Sequence, residues 1–181
     1  LQIIFSLAFP FAIYLSRTFK NFLLTTPGEG LGFAPVFYSS FLILLPVAVS
    51  HGAMFTYGSK LYSQYLQEDA PSIGRVYVLE TVGSVIGGIS ITFLLIQFLN
   101  SFEIAFVIAL LNTLISTSLV WERERPLLGF RNLLGYLSIL LTLSFAYLLL
   151  GPNTEKIHQS SIRSQWKELQ VIHYENSVYG N

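Results

Sequence analysis

Phe37-Tyr38-Ser39-Ser40-Phe41-Leu42-Ile43-Leu44-Leu45-Pro46-Val47-Ala48-Val49-Ser50-His51-Gly52-Ala53-Met54-Phe55 decides the fold. It holds no Asp, Glu, Lys or Arg and lies inside a longer uncharged stretch from Gly30 to Ser59. A helix needs about 20 apolar residues to cross the hydrocarbon core of a bilayer, and here they are consecutive. Pro46 does not exclude a helix, because membrane helices tolerate a proline that would break a soluble one. We place a span at about 35–54. An amphipathic continuation then runs through Tyr57, Lys60, Tyr62 and Tyr65, where tyrosines suit the aromatic belt at the membrane–water boundary.

Working outward, the same criterion finds four more spans. Residues 1–16 carry no charge and stop at Arg17 and Lys20, with a kink expected at Pro10. Thr26-Pro27-Gly28-Glu29-Gly30-Leu31-Gly32 reads as a turn-forming linker. Ser63 to Gly74, with Glu68, Asp69 and Pro71, reads as a loop. A third span covers about 76–99, and Asn100-Ser101 makes a short turn. The fourth covers about 104–121 and ends on Trp121 as a boundary anchor, before the charged loop Glu122-Arg123-Glu124-Arg125-Pro126. The fifth covers about 133–150 and stops at Gly151-Pro152. The fold class is therefore all-α: a polytopic transmembrane bundle, residues 1–151, with about five spans in a major-facilitator-like arrangement.

Composition agrees. Of 181 residues 52% are hydrophobic and only 11% charged, with a mean hydropathy of +0.59. A soluble domain has about a quarter of its residues charged. In a bilayer the outward face must itself be apolar, so few charges are needed. The formal net charge of zero argues against a nucleic-acid partner, which calls for a basic face. With no cysteine, structural disulfides and thiolate metal sites are excluded. The chain opens inside an apolar run without an initiator Met, and we expect a piece cut from a longer polypeptide at both ends. Sidedness is undetermined: Lys60, Arg75, Arg123, Arg125 and Arg131 fall on one side, and Arg17, Lys20, Lys156, Arg163 and Lys167 on the other.

Few polar residues lie inside the spans. Glu80 is one turn before Gly83 and shares a helix side with Ser84 and Gly87, which places its carboxylate towards the bundle. Intramembrane carboxylates are functional candidates. Against that, Glu80 is only five residues past Arg75 and could sit at headgroup level, stabilised by the helix dipole. His51 is the only histidine inside a span, a candidate for proton or substrate handling or a helix-to-helix hydrogen bond. Tyr77 joins them as a third candidate, otherwise a boundary anchor. Gly83-Ser84-Val85-Ile86-Gly87-Gly88 has small residues four apart, the spacing that lets helices approach closely. Gly83, Gly87 and Gly88 are thus expected in helix packing, with a hinge or a dimer seam as the sharper reading.

Residues 152–181 change character. They form a soluble linker, with a short amphipathic helix expected over Ile162–Leu169 and a strand over Glu168–Tyr174. His158 and His173 lie far apart in this tail, without a ligand spacing, and are read as no site. Gly28-Glu29-Gly30-Leu31-Gly32 is not a phosphate loop, lacking the Gly-Lys-Ser/Thr that follows one. No catalytic, cofactor-binding or metal-ligating set can be read from the residues.

Two stretches resemble a known family. Leu45-Pro46-Val47-Ala48-Val49-Ser50-His51-Gly52-Ala53-Met54-Phe55, followed by Gly74-Arg75-Val76-Tyr77-Val78-Leu79-Glu80-Thr81-Val82-Gly83-Ser84-Val85-Ile86-Gly87-Gly88, is similar to the membrane region of spermidine synthase-like fusion proteins. It departs at Glu80, where that family more often has asparagine. Tyr174-Glu175-Asn176-Ser177-Val178-Tyr179-Gly180-Asn181 is similar to the segment that opens the first β-hairpin of aminopropyltransferases. The resemblance implies polyamine biosynthesis. A Rossmann-like domain beyond Asn181 would transfer an aminopropyl group from decarboxylated S-adenosylmethionine to a diamine, while this stretch anchors it in the bilayer of a bacterial plasma membrane. The catalytic module itself would lie outside these residues. The rival reading is a fragment of a major-facilitator-type secondary transporter. On the first reading the membrane domain could also move or sense a polyamine or related cation, with Glu80, Tyr77 and Tyr57 as its candidates.

Overall fold

In the computed structural model, residues 1–23, 30–67, 70–121, 130–166, 169, 171 and 174 are described. Seven α-helices follow in chain order: α1 Gln2–Thr18, α2 Phe33–Leu66, α3 Ala70–Ser90, α4 Ile96–Phe98, α5 Ser101–Trp121, α6 Phe130–Leu150 and α7 Asn153–Gln165. A 3₁₀ turn, Phe19–Phe22, extends α1, and a π-helical segment, Ile91–Leu95, joins α3 to α4. Among the described residues there is no strand. Among the described residues, five stretches are long and apolar enough to cross a membrane: Gln2–Phe22, Phe33–Leu66, Ile73–Phe98, Ser101–Val120 and Asn132–Leu150.

These match the expected spans, with differences at their ends. The helix around the opening stretch runs unbroken through Pro46 for 34 residues, about 51 Å at 1.5 Å per residue. That exceeds a hydrocarbon core of about 30 Å, so one end projects beyond the apolar layer. The loop expected over Ser63–Gly74 is largely helical instead. α2 continues to Leu66, closed by Gln67 in the left-handed conformation (φ 57°), and α3 starts at Ala70. Pro71 falls in the first turn of α3, where a missing N–H removes no intrahelical bond. Glu68 and Asp69, between the two helices, lie outside the described residues.

Between α4 and α5 the turn is tight because Asn100 caps α5. Its Oδ1 accepts from the N–H groups of Phe102 and Glu103, both at 3.0 Å, and its own N–H donates to Glu103 Oε2 at 2.7 Å. That reciprocal arrangement is a capping box. α7 also begins earlier than expected, at Asn153, directly after Pro152. Thr154 Oγ1 donates to the Leu148 carbonyl at 2.7 Å, which ties the start of α7 to the end of α6.

Most packed pairs are sequence neighbours, but α1 packs on α5 across the chain. α3 packs on α2, α2 on α1, α1 on α5 and α5 on α6, while α7 lies across the ends of α1, α5 and α6. The best-packed seam is around α5, where Phe102, Phe106, Ala109 and Phe145 form the core. Two of these rings, Phe106 and Phe145, pack tilted by 30° with centroids 5.8 Å apart. Gly135 is required for the approach of α6 to α5, since a Cβ there would come within 2.9 Å of Val120 Cγ1. Thr117 and Ser138 then share a hydrogen bond of 2.8 Å across the seam. Elsewhere the surface is apolar: at most 22% of any span is buried, and none of the Ile73–Phe98 span. An exterior of this kind suits a lipid solvent.

Candidate functional site

Two polar clusters stand out, one within the spans and one at their end. Inside the spans, His51 and Glu80 are brought together. His51 Nε2 lies 3.3 Å from Glu80 Oε1, with the side chains 60% and 33% exposed. The pair joins α2 to α3, and α1 completes its surroundings, with the Phe5 ring 6.3 Å from the imidazole. Glu80 stands about 7.5 Å along the axis from Arg75 at 1.5 Å per residue, within the Ile73–Phe98 stretch that is long and apolar enough to cross a membrane. A carboxylate and an imidazole at this distance can share or exchange one proton. Tyr77 is exposed, one turn before Glu80, and is not drawn into the pair.

The glycines of α3 face open space. A Cβ at Gly83, Gly87 or Gly88 would meet nothing within 4 Å. Among the described residues, the only other helix packed on α3 is α2, and it does not close on these positions. The groove of small residues is therefore formed, with no helix of the described residues seated in it.

The second cluster centres on Arg17, which the sequence presents only as the charge that ends a span. Its guanidinium is buried (7% exposed). Nη1 donates to Ser161 Oγ at 2.7 Å and meets His158 Nδ1 at 3.1 Å. Nη2 donates to Ser101 Oγ and to Tyr174 Oη, each at 3.1 Å. All four hydrogens of the terminal nitrogens thus have acceptors, every one of them neutral. The guanidinium also stands 5.4 Å from the centroid of the Phe102 ring and 6.0 Å from that of Tyr174. Three elements that are distant in sequence converge here: α1, the start of α5, and α7 with Tyr174 beyond it.

His158 corrects a reading from the sequence. Expected to be no part of any site, it is 3% exposed at the middle of this cluster. Burial pushes it below the ordinary histidine value; the Arg17 cation pushes the same way, and Glu155 pulls back. The helix expected over Ile162–Leu169 is displaced towards the N-terminus for the same reason: α7 starts at Asn153 so that Thr154, His158, Ser161 and Ile162 share its buried face. Further ties hold α7 down. Asn21 Nδ2 donates to the Ser164 carbonyl at 2.6 Å, and Lys20 Nζ lies 5.5 Å from the Trp166 ring centroid. His173 and the hairpin segment after Tyr174 lie outside the described residues, as does most of the strand expected over Glu168–Tyr174.

Beside the cluster is a polar cleft of about 610 Å³, lined among others by Asn100, Glu103, Glu155, His158, Gln159 and Tyr174. Asn100 links its walls, because its Nδ2 donates to Glu155 Oε2 at 3.1 Å. The cap of α5 is therefore also a contact to α7. No family model, characterised protein or solved structure matches this chain. The functional reading rests on the geometry of these two clusters.

Proposed function

We propose that this chain is the membrane domain of a spermidine synthase-like protein, and that it anchors and positions an aminopropyltransferase module following it. The observation that supports this reading is the Arg17 cluster. A passive tether needs only spans and a flexible exit. Here the segment leaving α6 is instead folded back and held by Arg17, Asn21 and Asn100, so Tyr174 departs from a fixed point on the bundle. Positioning of that kind is useful when a soluble module must sit at a set place relative to the bilayer. On this reading the spans lie in a bacterial plasma membrane in a major-facilitator-like arrangement, and the segment from Tyr174 enters the first β-hairpin of the module. Decarboxylated S-adenosylmethionine and a diamine are its substrates.

The test is aminopropyl transfer by membranes of cells producing the complete gene product. Labelled decarboxylated S-adenosylmethionine is supplied with putrescine, and product is followed by mass spectrometry. Transfer activity that stays with the membrane fraction after carbonate washing is the expected result. Residues 1–181 by themselves are expected to require detergent and to give no product. Absence of transfer by the complete protein to any diamine rejects the reading.

One observation favours a second reading, a carrier for polyamines or related cations of the major-facilitator type. The His51–Glu80 pair joins two helices long and apolar enough to cross a membrane, and ionisable groups within such spans commonly mark an ion or substrate path. Uptake of labelled putrescine into proteoliposomes under a pH gradient, lost in Glu80→Gln, would establish it over the anchor.

A further inference from the structure

The Arg17–His158 contact exists in one protonation state only. A guanidinium has donors and no acceptor. The 3.1 Å approach of Arg17 Nη1 to His158 Nδ1 therefore requires an unprotonated Nδ1, with the ring proton on Nε2. A second proton would turn that acceptor into a donor and set two cations against one another in a buried site. The ring is enclosed on every side. From α1 comes Arg17. The start of α5 brings the Phe102 ring, edge-on at 6.3 Å. The chain beyond α7 brings the Tyr174 ring, edge-on at 5.0 Å. On α7 itself, Glu155 lies one turn before His158.

Glu155 is the anion placed to offset a charged His158, and it is already engaged. Its Oε2 accepts from Asn100 Nδ2 at 3.1 Å, and its Oε1 accepts from Gln159 Nε2 at 2.8 Å. Glu103, across the same cleft, accepts from the Asn100 N–H at 2.7 Å. Neither carboxylate bridges His158 to Arg17. A proton arriving at Nδ1 thus meets the Arg17 cation at contact distance, and the opposing pull of Glu155 is the smaller of the two.

We propose that the Arg17–His158 contact is a proton-operated latch: when His158 takes up a proton at Nδ1, Arg17 loses that acceptor and α7, with Tyr174, is released from the ends of α1 and α5. The inference rests on the Arg17 cluster alone and stands whether or not an aminopropyltransferase follows. Its sign is fixed by linkage. Docking holds His158 below its ordinary value of 6.5, through burial first and Arg17 second, with Glu155 opposing. The docked state therefore binds fewer protons than the released one. Docking is at full strength above the released histidine's pKa. It weakens as pH falls below about 6.5, by up to about tenfold per unit, until the docked histidine titrates as well.

The experiment is hydrogen exchange on the chain in lipid nanodiscs from pH 8 to pH 5, corrected for intrinsic exchange. In the same samples, ¹³C-labelled imidazole resonances follow His158. Protection of α7 amides is expected to fall by up to about tenfold per unit below pH 6.5, while α5 and α6 amides keep theirs. His158→Gln retains an acceptor for Arg17 without a titrating group and is expected to hold α7 protection constant. Unchanged wild-type protection across the range overturns the latch. So does an equal loss in His158→Gln. Should that variant fail to fold, wild type still decides: release must follow the titration of His158 itself, and release at a different pH overturns the proposal.

Discussion

Replacing Arg17 by lysine keeps the charge and removes the fork, which isolates what the guanidinium geometry contributes. Arg17 spends four N–H groups on four acceptors from two nitrogens, two on each. A lysine ammonium has one nitrogen and three hydrogens, so at least one acceptor is abandoned. Losing one bond from a charged donor in a buried site removes about 1.5–3 kcal/mol. Loss of the stacked contact over Phe102, 5.4 Å away, removes about 0.5–1 kcal/mol more. Docking of α7 should therefore weaken by about 2–4 kcal/mol, equivalent to about 30- to 900-fold more frequent opening. Hydrogen exchange at neutral pH reads this directly. Amides of α7 should accelerate by that range, whereas those around Phe106 and Phe145 should not. A change below about threefold, or one spread evenly over α5 and α6, would refute the reasoning, since a local anchor must act locally.

Gly135→Ala should destabilise the bundle by about 1–3 kcal/mol, because the new methyl would lie 2.9 Å from Val120 Cγ1; denaturation in mixed micelles measures it. Gly83→Ala, where a Cβ meets nothing within 4 Å, should leave that same stability within about 0.5 kcal/mol. Asn100→Ala should lower stability by about 1–2 kcal/mol through the lost cap of α5 and should also raise exchange in α7, because Asn100 Nδ2 reaches Glu155. A double-mutant cycle of Thr117→Val with Ser138→Ala should give a coupling of about 0.6 kcal/mol from their shared bond, and a coupling near zero would mean the bond does not form in lipid.

What the sequence determined by itself was the set of spans. Each is a run of apolar residues without charge, and the need to satisfy backbone hydrogen bonds in lipid turns such a run into a helix whatever its neighbours do. That local rule needs no tertiary information, so 76–99, 104–121 and 133–150 fall within a few residues of the helices. The proximity of His51 to Glu80 was half legible, since both were singled out as ionisable groups in apolar runs, but their pairing across α2 and α3 was not. Helix ends were less legible. Polar residues at 63–74 serve equally well as helix termini or as a loop, and the position of Pro71 favours the former.

Tertiary structure alone decided the rest. No spacing in the sequence connects Arg17 with Ser101, His158, Ser161 and Tyr174, because they come from α1, α5 and α7 with its following segment and meet only once α1 is packed on α5. Chain order would have set α1 beside α2 alone. For the same reason a histidine in a polar tail looked idle: its partner is the charge that closes the first span, 141 residues away. Apolarity along the chain fixes which segments become helices, whereas the order in which those helices pack depends on shape, on small residues such as Ala109 and Gly135, and on buried polar groups that must find partners.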